Sequence, residues 1–174
     1  METKRCPLCS TPRPVDPDPA KTQAATPGKI ARLAAGLTRA ALLRRPAPGK
    51  WSIHEIVCHL ADVEVVNSWR YRKVLANEAL GPTAWSQDQW AGAHQYRRQD
   101  FRLTLEQFRS LRARNLALLG AVGKKAWSRP VAHSGTGRLN AGEILGHMAH
   151  HDVNHLEQIA RIRRGLKSRK PKRD

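Results

Sequence analysis

From Lys29 onward the chain repeats apolar residues every three or four positions. The first run, Ile30, Leu33, Ala34, Leu37, Ala41 and Leu42, describes one face of a helix. Pro46 and Pro48 close it. A second helix is announced by Ser52 and Glu55, a spacing at which each side chain reaches an unpaired backbone N–H beside the other. Ile53, Ile56, Val57, Leu60, Val63, Asn67, Tyr71 and Val74 carry its mostly apolar stripe to about Asn77. A long connection through Gly81 and Pro82 follows, with a helical turn near Asp88 to Ala91. The third helix is read from Thr104 to about Ala121, with Leu105, Phe108, Leu111, Leu116 and Leu119 as core candidates and Gly120 and Gly123 at its end. After the polar loop HSGTGR, Asn140 and Glu143 repeat the capping spacing and open a last helix carrying Ile144, Leu145, Met148, Ile159 and Ile162. No strand pattern competes. Stripes of this kind must be buried against one another, so the expected fold is all-α, a four-helix bundle with a long crossover between its second and third helices.

Proline density sets the outer boundary. Pro7, Pro12, Pro14, Pro17, Pro19 and Pro27 exclude a continuous helix over residues 1–27, which are expected to form an irregular lead-in. The bundle is assigned to 28–165 and a basic tail to 166–174. Cys6 and Cys9 of CPLC resemble half of a zinc ribbon. The only further cysteine, Cys58, falls inside a helix, so a reduced pair is the simpler expectation. No run of apolar residues reaches the length of a membrane span, and no apolar stretch follows the charged start, which points to a cytoplasmic protein. The net charge of +17 draws polyanions without identifying one, and much of the excess lies in RIRRGLKSRKPKRD.

The chemistry concentrates in LGHMAHHDVNHLEQI, where His147, His151 and His155 follow one another at four-residue steps. Side chains so spaced share a helix face, and two imidazoles there form the helical half of many zinc sites. Three stacked over that length span about 12 Å along the axis, so all three cannot reach one ion, and His147 is the rival of the other two. His59, at the edge of the second helix's stripe, is placed to add a ligand from another element. Asp62, three positions on, is a candidate for orienting His59 or accepting a proton. Asp152 points about 100° away from His151 on a helix and is expected in a surface or interhelical salt bridge. His54, His94, His133 and His150 lack this geometry and are assigned structural or surface roles. Trp51, Trp69, Trp85, Trp90 and Trp127 read as packing residues, with Trp90 near the crossover as a pocket candidate.

The segment GKWSIHEIVCHLADVE, then Arg70, QDQWA and LNAGEILGHMAHHDVNHLEQI, resembles the DinB-like superfamily, in particular its YfiT-type branch. The similarity covers about residues 27–165. It implies a four-helix bundle with a crossover and a three-histidine site for a divalent metal, whose ligands carry over onto His59, His151 and His155. It also implies a metal-dependent hydrolase, or a transferase using a small thiol such as mycothiol or bacillithiol, and makes a homodimer an expectation. Zinc is the expected ion, with nickel as an alternative. Such an ion keeps an open position from which it can acidify water or hold a thiol. A second function class stands beside this one: a basic binding protein in which the tail engages nucleic acid or another polyanion and the histidines do no chemistry.

Overall fold

Asp18, Ser52, Asp100 and Asn140 each accept a hydrogen bond from the backbone N–H three residues on, at 3.0, 3.3, 2.8 and 2.9 Å, and a long helix starts after each. Both expected capping boxes close, since Glu55 accepts from the Ser52 N–H and Glu143 from the Asn140 N–H, each at 2.9 Å. The computed structural model describes residues 3–5, 12–81 and 85–167. Cys6, Cys9 and the tail residues 168–174 lie outside them, as does Pro82. In chain order the elements are β1 (Thr3–Arg5), β2 (Pro12–Pro14), α1 (Pro19–Ala34), α2 (Arg39–Leu42), α3 (Ile53–Leu75), α4 (Gln87–Ala93), a 3-10 turn (Tyr96–Arg98), α5 (Phe101–Trp127), β3 (Val131–His133), β4 (Gly137–Leu139) and α6 (Ala141–Lys167).

The first helix departs from expectation. It begins at Pro19 rather than Lys29 and runs through Pro27. A proline there removes the N–H that would bond the carbonyl of Gln23, four residues back. Arg112 of α5 supplies the missing donor, its Nη1 lying 2.9 Å from the Gln23 carbonyl oxygen. The helix stops at Ala34, the backbone turns through Gly36 at φ +74°, and Leu42 reaches the core from α2, a separate short helix capped by Thr38. The single stripe of residues 29–42 is thus two elements. Gly123 also acts as expected, breaking α5 at φ +73° and ψ 163° before a last turn through Trp127.

Strands occur where none was expected. β3 and β4 pair antiparallel across HSGTGR, with Val131 opposite Leu139, and Leu80 from the crossover bridges to them, its N–H donating to the Ala132 carbonyl at 2.9 Å. Three residues are too few for alternation to show in the sequence. Val131, Leu139 and Leu80 nevertheless close one end of the core.

α3 packs along α5 and α1 along α6. Contacts climb together along α3 and α5: His54 meets Phe101, Glu64 meets Arg112, Ser68 meets Asn115 and, just past the end of α5, Arg129 meets the Leu75 carbonyl. These helices are therefore parallel neighbours, and a parallel pair needs a connection that returns the full length of the bundle. Residues 76–100 are that crossover. α6 runs the opposite way to α3, because His59 meets His151 and His155 while Ile56 and Leu60 share a cluster with Ile159 and Ile162, and Val63 shares the other with Met148. The core is accordingly two apolar clusters, one around Ile56, Phe108 and Ile159, the other around Val74, Leu119 and Ile144. Polar residues form a waist between them.

Candidate metal centre

Half of that waist is made of imidazoles. His59 projects from the middle of α3 and is 2% exposed, while His151 and His155 are half-buried on one face of α6. The Nε2 atom of His151 lies 3.1 Å from Nε2 of His59 and 3.2 Å from Nε2 of His155. One ring nitrogen carries either one hydrogen or one lone pair, so it cannot satisfy two such neighbours by hydrogen bonding. Four tetrahedral nitrogens around an ion at about 2.0–2.1 Å sit about 3.4 Å apart, close to these separations. All three donor atoms fall within 4.8 Å of one another. The set fits a divalent ion.

Their protonation fits as well. Burial drives His59 down to about 3, helped by the charge of His155, and burial drives His151 well below its ordinary value. His155 is lowered by burial against an opposing hydrogen bond from Gln158. Burial thus favours in all three rings the neutral form, the one that can ligate a metal. His155 Nδ1 has its outer partner, donating to Gln158 Oε1 at 3.0 Å, whereas His59 Nδ1 and His151 Nδ1 have none among the described residues. A cavity of about 430 Å³ opens on His59 and His151 and is walled by Val63, Arg70, Trp85, Gln87, His147 and Met148. It is large enough for a small molecule.

The model of the DinB superfamily matches residues 24–159. The chain belongs to the DinB superfamily. Among solved structures it is similar to YfiT from Bacillus subtilis, described as a probable metal-dependent hydrolase with an unusual four-helix bundle topology. That match has 20% sequence identity and a TM-score of 0.79, and covers 90% of this chain and 93% of that one. A comparison with curated proteins finds no match.

Within this DinB-superfamily chain, the other candidate residues separate clearly. Asp62 makes no hydrogen bond to His59 among the described residues. Its Oδ2 accepts from the Tyr96 hydroxyl at 2.7 Å and pairs with His94 Nδ1 at 3.0 Å, because the end of α4 and the 3-10 turn bring these two rings to that side of α3. His147 stays out of the three-nitrogen cluster, its ring centroid 6.4 Å from that of His151, and lines the cavity instead. Trp85, rather than Trp90, forms the cavity wall, 5.8 Å from His59, with Trp90 stacked behind it at 4.4 Å. Trp51 covers His59 from the other side at 5.0 Å. Cys58 is buried, and that burial pushes its thiol up to about 12, which favours the protonated form over the reactive thiolate.

Of the second half of the waist, only a salt bridge at Asp152 was expected. Arg112, 1% exposed, donates from Nε to Glu64 at 2.9 Å and from Nη1 and Nη2 to Asp152 at 2.5 and 3.1 Å. Asn115 adds a bond to Glu64 at 2.8 Å, and Gln23 donates to the Leu145 carbonyl at 2.7 Å. Asp152 is thus in the expected interhelical salt bridge, but fully buried. The signal was Asp152 beside a histidine on α6 and Glu64 inside an apolar stripe on α3. Neither names Arg112 as partner.

Proposed function

We propose that this chain is a metal-dependent enzyme in which His59, His151 and His155 hold a divalent ion, zinc or nickel, and that it acts on a small molecule by hydrolysis or by transfer to a small thiol. The observation that carries this is the convergence of three neutral Nε2 atoms on one point beside an open cavity. When bound, an ion on three uncharged ligands keeps its full positive charge and an open position, and so supplies Lewis acidity toward water or a thiol. The chain's own residues do the rest. Gln158 holds the His155 ring with Nε2 inward, Trp51 and Trp85 clamp His59 and exclude water from two sides, and the wall from Val63 to Met148 receives the substrate. Asp62 acts through Tyr96 and His94, which it orients, and not through His59.

The reading is tested by stripping the full chain with a chelator and restoring zinc or nickel. A p-nitrophenyl ester then reports hydrolysis, and conjugation of a small thiol to an alkyl or aryl halide reports transfer. One of the two activities should return only with metal and should be absent in His59→Ala. Equal rates with and without metal, or in the variant, would contradict it.

A further inference from the structure

Where the link between α2 and α3 passes the last turns of α6, a second cavity of about 530 Å³ is lined by Arg44, Arg45 and Lys50 from the link and by Gln158 and Arg161 from the helix. No carboxylate lines it. Arg45 is held by Glu55, while Arg44, Lys50 and Arg161 enter no ion pair among the described residues. Cations gathered from two elements into one concavity raise the local concentration of anions, and guanidinium groups offer paired N–H donors that match carboxylate and phosphate oxygens. Gln158 ties this cavity to the histidine cluster, because the same side chain that lines it accepts from His155 Nδ1.

We propose that this cavity is an anion subsite that binds the carboxylate or phosphate group of a small molecule. Its volume and concavity suit a compact ligand rather than an extended polyanion. That the anion belongs to the substrate rests on the proposed metal centre, whereas anion binding itself does not.

Isothermal titration of the full chain at low ionic strength, with inorganic phosphate and with citrate as probes, tests it in zinc-loaded and chelator-treated protein. Saturable binding is expected in both states, and the Arg44→Ala/Arg161→Ala variant should bind about tenfold more weakly. Tighter binding of phosphate would assign a phosphorylated ligand, and tighter binding of citrate a polycarboxylate. The Arg102→Ala/Arg114→Ala variant loses the same charge from exposed positions on α5 that do not line the cavity, and should bind like the parent. Equal weakening in both variants, or no saturable binding of either probe, overturns the subsite. Cobalt-loaded protein should broaden the phosphorus resonance of bound phosphate relative to zinc-loaded protein, and Arg44→Ala/Arg161→Ala should remove the effect. Broadening that persists in that variant places phosphate on the ion and also overturns it. Protein that binds anions as expected but takes up no metal would sink the metal centre alone. Stoichiometric metal without anion binding would sink this inference alone.

Discussion

The histidine cluster and the Arg112 network lie at one waist of the bundle, on neighbouring turns of α3 and α6, yet they treat buried polarity in opposite ways. Glu64, Arg112, Asn115 and Asp152 each have polar partners within the network, and Arg112 also mends the gap that Pro27 leaves in α1. His59, His151 and His155 bring their Nε2 atoms together, and two of the three have outer nitrogens with no partner among the described residues. A closed network needs nothing further. Converging ring nitrogens leave room for an added cation, so the two buried sets differ in whether their polar atoms are matched from within.

The largest expected effect is on the closed side. Arg112→Leu leaves Glu64 and Asp152 buried without a cation and exposes the Gln23 carbonyl gap, and should lower stability in urea by about 3–5 kcal/mol. Replacing Arg112, Glu64 and Asp152 together by apolar residues should cost much less. A small loss in Arg112→Leu alone would mean that the network is not what joins the helices.

On the open side, zinc at a hundredfold excess over its Kd should stabilise the parent by about 2.7 kcal/mol and do nothing for His151→Ala. Without metal the variant should melt modestly below the parent, because the ring it removes packs against His59 and His155. A smaller change is expected from Gln158→Ala, which frees the outer nitrogen of His155. Zinc affinity should fall about 10–100-fold with the fold intact, as read by competition with a chromophoric chelator.

Acid titration addresses a third buried charge. Burial alone would raise the Glu55 carboxyl, but Arg45 and the hydrogen bonds from Ser52 outweigh it and hold the group at about 2 against 4.5. Because the folded value is the lower one, the stabilisation is complete above about 4.5 and is lost as pH falls toward about 2. The parent should lose stability across that window and Glu55→Gln should lose less. The smallest effect is that of Ser52→Ala, about 1 kcal/mol, from the open capping box.

Much of this was legible in the chain. The capping pairs Ser52/Glu55 and Asn140/Glu143 are local and start their helices as read, and the four-residue step from His151 to His155 places both rings on one face. The long gap before the third helix announces the crossover. What stayed hidden depends on partners distant in sequence. Pro27 is tolerated because Arg112, 89 positions beyond Gln23, fills the vacant carbonyl. Asp62 turns away from His59 because the crossover delivers Tyr96 and His94. No periodicity encodes either pairing.

The central claim is that the three imidazoles form an ion site. Elemental analysis by mass spectrometry of gel-filtered protein, after reconstitution with zinc, tests it most directly. About one ion per chain is expected in the parent and none above background in His151→Ala/His155→Ala. Full occupancy in that double variant, or none in the parent, would contradict it.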